Sequence, residues 1–413
     1  MGFEPTSDPG LALSIPRIGV AEVLRGWSGE GSIYEDLAAA SSPDALDWTA
    51  GDIRRRARRV LLALVEPESS TWPETAEAWL EYLPASSVST KQVTRTPAGG
   101  GISWAESMRR YQWPPRAFVG RGRSRVADEV AIGTLGWLAH ELRRLAEDVM
   151  SLSPLAGTRL LDRVGAVTEA LGEFHAEAFY RPDRLDLLAL ASSGYPWRSV
   201  ATAANMLVRS ERDPEFIAFE LIAPDLEVGW RLFHLAVYGM VIRALRSHRF
   251  LITWRRPISG TRSGAQVEAI GPSGSQYDLW FEASAARGAY GLPPSSYKDA
   301  VGAIAGVGGS IGVDVMLIQP HVRALLLECK WSTDVTYVGR DGFHQAASYA
   351  LDAIGGLAPT VWSFVVGPHE VVPMTSVALG LRDQLGVVMG STSPIRIGDV
   401  VSAFLADDPL AAT

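Results

Sequence analysis

The chain has 413 residues, 47% hydrophobic and 20% charged, which is enough apolar material for a buried core and for two or more domains. A formal net charge of −8 excludes a molecule that is basic all over, so any nucleic-acid contact must come from local basic surfaces. The single cysteine, Cys329, excludes an internal disulfide and fits a reducing, cytoplasmic setting, and with no apolar run long enough to span a bilayer and no secretory signal, no membrane partner is expected.

In chain order, residues 1–125 read as a mixed α/β N-terminal region. Helices are expected over Ile53–Val65 and Thr75–Tyr82, with loops or short strands in the Pro- and Gly-broken stretches between. Arg54, Arg55, Arg56, Arg58 and Arg59 crowd the first helix, while Arg116, Arg121, Arg123 and Arg125 flank a Gly-containing loop. The second cluster is the better candidate for nucleic-acid phosphate, because Gly120 beside Phe118 lets the backbone come close; both clusters read equally well as solvated faces.

Residues 126–213 read as a helical region. Val130, Leu135, Leu138, Leu142 and Leu145 recur at helical spacing within Val126–Leu152, Arg159–Phe179 repeats the pattern, and Leu185–Ser210 adds helices around Gly194-Tyr195-Pro196. From 214 to 413 the order changes to helix (Gly229–Ser247), strands (Phe250–Arg256, Gln266–Ile270, Tyr277–Ala283), two apolar strands, a helix (Asp341–Ile354) and a strand (Thr360–Val366). That order predicts a mixed α/β sheet flanked by helices.

The chemistry concentrates in the two apolar strands, Val313–Ile318 and Ala324–Lys330. Asp314 sits in the first, and Glu328-Cys329-Lys330 ends the second. Glu328 and Lys330 are two apart on a strand and leave the same face, and Asp314 joins them if the strands pair through Gln319–Arg323. Charges inside such runs are costly unless they are paired or hold a metal. Hard oxygen ligands suit Mg²⁺, with Mn²⁺ expected to substitute, and Lys330 would orient the attacking water or offset charge on a phosphate. Lysine occurs only at Lys91, Lys298 and Lys330 in a chain that otherwise uses arginine, which suggests that a compact charge is wanted at 330. The bland reading of the same residues is a structural ion pair.

These residues resemble the PD-(D/E)XK, or restriction-endonuclease-like, nuclease superfamily, whose core has this element order. The resemblance implies that Asp314 and Glu328 are metal ligands and Lys330 is the catalytic lysine of a DNA-cleaving enzyme. Gln345 and Tyr349, four apart on the following helix, are similar to the Gln-x-x-x-Tyr accessory motif of RecB-like members. A more diffuse resemblance, carried by Gly101–Trp104, the helix from Val126, and Leu185, Tyr195 and Arg198, is to McrC-like restriction components. It implies a bacterial restriction or phage-defence role and a separate protein partner, a motor nucleoside-triphosphatase or a recognition subunit. His234 stands where the leading helix of that pattern has a glutamate; either the outer carboxylate is missing or Glu227 supplies it. The remaining histidines are read as surface or satisfied core residues.

Two rivals come from other classes. Gly308-Gly309-Ser310-Ile311-Gly312 matches a serine-hydrolase elbow, with Asp341 and His369 downstream, but a strand follows where a helix is required. A nuclease fold used only as a binding or scaffold subunit would also carry these strands, and need not bind metal.

Overall fold

The computed structural model describes residues 15–26, 50–83, 85–96, 101–127, 129–150, 157–172, 179–222, 229–255, 258, 264–293, 312–378 and 386–412. The chain divides into two compact units, one formed by Met1–Ala57 with Glu211–Thr413 and the other by Arg58–Ser210.

Helix α1 (Arg17–Arg25) belongs to the first unit. Helix α2 (Ala50–Ser69) runs into the second, which continues with α3 (Ala76–Tyr82), β1 (Ala85–Thr94), α4 (Trp104–Tyr111), β2 (Phe118–Ala127), α5 (Glu129–Met150), α6 (Thr158–Gly172), α7 (Arg184–Ser192) and α8 (Trp197–Arg212). Its helices bury the periodic residues expected of them, Leu135, Leu138, Leu142 and Leu145 among them. Trp79 meets Trp72 and Trp197 edge-on at 6.0 and 6.2 Å between ring centroids, and the Trp197 indole donates to the Tyr82 carbonyl. The Asp183 carboxylate caps α7 by accepting the Leu185 and Asp186 N–H groups, and the Asp183 N–H donates to the Asp186 carboxylate, completing a capping box.

One expectation is corrected in this unit. Arg121, Arg123 and Arg125 do not flank a loop; they lie within β2, which pairs antiparallel with β1 from Ala85↔Ala127 to Thr94↔Phe118. Val126 is likewise in the strand, so the long helix starts at Glu129. Strand β1 is rich in Ser and Thr and β2 in Arg and Gly, and apolar alternation, the usual strand signal, is missing.

The other unit is built on one sheet. Helix α9 (Gly229–Ser247) leads into β3 (Leu251–Trp254), β4 (Val267–Ile270), β5 (Gln276–Phe281), β6 (Val315–Gln319) and β7 (Arg323–Cys329). Helix α10 (Gly342–Ile354), β8 (Thr360–Val366), β9 (Ser376–Ala378), β10 (Val387–Thr392) and α11 (Ile397–Ala406) follow. Among the described residues eight strands form the sheet, in the order β3-β4-β5-β6-β7-β8-β10-β9. The first five make an antiparallel meander; β7–β8 and β8–β10 are parallel, with α10 as the crossover between β7 and β8. The result is the expected mixed α/β sheet with helices against it.

Strand β7 lies in the middle and is buried from Ala324 to Cys329, which explains its unbroken apolar run. Ala324 and Leu326 pack in one cluster with Ala346, Ala350 and Ala353 of α10. Helix α9 is buried around most of its circumference, because α1, α11 and the sheet all pack against it. The α1 crossing is a backbone contact: a Cβ added to Gly239 would lie 1.8 Å from the Gly19 carbonyl oxygen, and one on Gly19 would lie 2.1 Å from that of Ala236.

Candidate metal centre

The site forms where β6 and β7 meet. Register Val315↔Leu327 sets Asp314, just before β6, against the end of β7, and Asp314 Oδ2 accepts the Cys329 backbone N–H at 2.7 Å. Glu328 and Lys330 leave β7 on one face while Cys329 turns to the other and is buried. Lys330, one residue past the strand, is fixed by its N–H to the Val366 carbonyl at 2.8 Å, and its Nζ donates to Glu328 Oε1 at 2.5 Å. The structure therefore brings Asp314, Glu328 and Lys330 together.

Their electrostatics are unusual for a soluble core. Glu328 and Lys330 are 3% and 7% exposed. Burial, only partly countered by the Cys329 N–H and Lys330, raises the Asp314 carboxyl to about 7. Burial and the adjacent Asp314 charge raise Glu328 to about 8. Burial opposes the Lys330 ammonium, yet the Glu328 charge and hydrogen bond outweigh it and hold Lys330 above its ordinary value. Two carboxylates thus face one ammonium, and among the described residues no hydrogen-bond donor reaches the buried Glu328 Oε2. Such a pair needs either a shared proton or a cation.

Two further residues come to this point that the sequence did not mark as site residues. His234, in the first turns of α9, places Nδ1 3.6 Å from Asp314 Oδ1. His234, Asp314 and Cys329 present nitrogen, oxygen and sulfur atoms all within 4.8 Å of one another. Burial, then the Asp314 and Glu328 charges, push the Cys329 thiol well up, so it is held protonated and ligates less well than the carboxylates. Glu282, the residue after β5, has φ 58°, its N–H donates to the Asp314 carbonyl at 2.7 Å, and its charge adds to the upward push on both acids. The position of His234 in an otherwise apolar helix face was the available signal; Glu282 carried none, since only the β5–β6 pairing brings it near. Glu227 and Ser310 lie outside the described residues.

The other expected site residues are placed as follows. Gln345 is exposed and Tyr349 half-buried on α10, Tyr349 packing against the cluster beneath the helix. The helix start approaches the lysine closely: a Cβ on Gly342 would meet Val365 at 2.8 Å and the Lys330 Cγ at 3.2 Å. Arg116 is exposed just before β2, in the other unit.

No family model matches the chain, and no curated protein matches it. Among solved structures, it is similar to a chain from an assembly of Thermococcus gammatolerans McrB AAA+ hexamers with bound McrC, at 10% identity, covering 92% of this chain and 70% of that one with a TM-score of 0.27.

Proposed function

We propose that the chain is a divalent-metal-dependent nuclease acting on DNA, with Asp314 and Glu328 as metal ligands and His234 standing beside Asp314. The observation that carries this reading is the buried Asp314–Glu328 pair, whose Glu328 Oε2 has no donor among the described residues while Lys330 stands hydrogen-bonded to the other oxygen. The carboxylate oxygens fit Mg²⁺ and admit Mn²⁺. Bound there, the cation would supply a Lewis acid and a more acidic water. Lys330 would offset charge on the scissile phosphate, and the apolar walls of β6 and β7 would keep these charges poorly screened. Gln345 and Tyr349 would orient the phosphate from α10 without touching the metal. Arg116, Arg121, Arg123 and Arg125 would hold the backbone of the nucleic acid at the β1–β2 ribbon. A restriction or phage-defence role, and a separate motor or recognition subunit, rest on the resemblance in sequence.

The test is calorimetric and enzymatic together. The purified chain should bind Mn²⁺ and Mg²⁺, and Asp314→Ala, Glu328→Ala and Lys330→Ala should each lower metal-dependent cleavage about a thousandfold or more, some 4 kcal/mol at about 1.4 kcal/mol per tenfold. Gln345→Ala and Tyr349→Phe should slow cleavage by less and leave metal affinity alone. If the chain binds neither ion, the scaffold reading replaces this one; full activity in any of the three alanine variants removes the site assignment.

A further inference from the structure

Exposed aromatic rings touch two residues of the candidate metal centre. Trp230, 44% exposed on the first turn of α9, meets the His234 ring edge-on at 5.4 Å between centroids. Tyr337, 41% exposed, lies with its ring centroid 5.6 Å from Lys330 Nζ. The intervening steps are short: His234 to Asp314 at 3.6 Å and Lys330 to Glu328 at 2.5 Å. The Tyr337 backbone is held in place for this. Asp334 Oδ1 accepts the N–H groups of Thr336 and Tyr337, and Tyr337 opens a π-helical turn that runs into α10. Phe343, beside the Gly342 that approaches Lys330, is also 41% exposed.

Large aromatic rings exposed to this degree next to buried charge are not explained by core packing, nor by the chemistry assigned to the acids and the lysine. Their chemistry suits nucleobases, every one of which has a π face, and stacking needs those faces unpaired. The geometry points to a substrate strand with unpaired bases on both sides of the scissile phosphate, one stacked on Trp230 and the other on Tyr337. This rests on the nuclease reading and adds to it the class of substrate: single-stranded or locally opened nucleic acid in preference to intact duplex. Lys330 is shared between the two roles, since the cation–π contact fixes the tyrosine ring relative to the phosphate site.

Fluorescence anisotropy on the full chain tests it, with Ca²⁺ in place of Mg²⁺ and three labelled probes: an oligothymidine, an abasic strand of the same length and a blunt duplex. Stacking of this kind changes affinity by roughly 5- to 150-fold per base. The oligothymidine should therefore bind about tenfold or more tightly than the abasic strand. Trp230→Ala and Tyr337→Ala should each erase about fivefold or more of that advantage while weakening abasic binding by less, and Trp230→Phe and Tyr337→Phe should retain it. Equal binding of the two strands by the unmodified protein overturns the inference, as does equal weakening of both by the alanine variants. The oligothymidine–abasic comparison and the phenylalanine variants decide the matter even if an alanine variant does not fold. Cleavage with Mg²⁺ and Mn²⁺, run in parallel, separates the two readings. Base-dependent binding without metal-dependent cleavage removes the nuclease reading alone, and metal-dependent cleavage of the oligothymidine and the abasic strand at equal rates, in the unmodified protein and Trp230→Ala alike, removes the stacking reading alone.

Discussion

Glu22 and Glu328 are both buried acids in the same unit, each 3% exposed, and each lies against a basic side chain. At Glu22, on α1, both oxygens are matched: Oε2 takes Arg25 at 2.8 Å and Oε1 takes Arg246 of α9. Both arginines stay partly in solvent, and Arg25 also reaches Glu215. At Glu328 one ammonium serves two carboxylates, a third carboxylate adds its field, and one oxygen has no donor among the described residues. The first arrangement neutralises itself and joins two helices. The second sets two acids, each raised by burial, in an apolar setting, where they must share a proton or take up a cation. Burial of an acid is therefore uninformative until its partners are counted.

The sharpest way to break this comparison is to remove each acid in turn. Glu22→Ala should destabilise the protein by an amount toward the low end of the roughly 3–5 kcal/mol seen when a buried pair is broken, because its arginines can turn to water. Metal affinity should not change. Glu328→Gln should do the reverse, abolishing metal-induced stabilisation at little cost to the metal-free fold. Urea unfolding with and without Mn²⁺ measures both, and a comparable loss of metal binding in Glu22→Ala would dissolve the distinction.

A second, smaller effect concerns pH. The folded-state values of Asp314 and Glu328 are raised above their unfolded ones, so the stability they contribute is present below about pH 4 and is lost as pH rises through about 7 to 8. In chelator, the melting temperature should therefore fall from pH 5.5 to 8.5 more steeply for the unmodified protein than for Asp314→Asn. Mn²⁺ at about a hundred times its dissociation constant should restore about 2.7 kcal/mol at the alkaline end. Parallel melting curves for the two proteins would show that the acids do not strain each other.

The smallest expected change sharpens the helix-joining side. Gly239→Ala forces a methyl group onto the Gly19 carbonyl and should cost about 1–3 kcal/mol, read by chemical denaturation. An unchanged midpoint would mean that α1 does not dock as described.

What could be read in advance follows from how locally each feature is specified. Strand alternation alone puts Glu328 and Lys330 on one face and Cys329 on the other, and the apolar run Thr360–Val366 coincides with β8. Helix α9 is likewise bounded as its composition predicts. The β1–β2 ribbon was illegible because its strands are polar and pair across more than twenty residues. Helix α1 escaped notice because only the tertiary match of Gly19 to Gly239 gives it a place. The closing β10 and α11 carried usable signals, Val387–Met389 and the spacing Ile397, Val400, Val401, Phe404, that the motif-bearing strands overshadowed. His234 was read as a departure from a pattern; its meaning depends on the distance to Asp314, which no spacing in the sequence encodes.

The glycine crossing of α1 on α9 also bears on how this protein can be handled. Gly239 lies five residues beyond His234 on one helix, and its contact with α1 is backbone on backbone, without a flexible side chain to absorb movement. Trimming the chain to begin near residue 50, a natural choice when isolating the sheet-bearing part for expression, would strip that helix of its cover and leave Arg246 without its acid. Helix α1 is thus a structural member of the unit that carries the sheet.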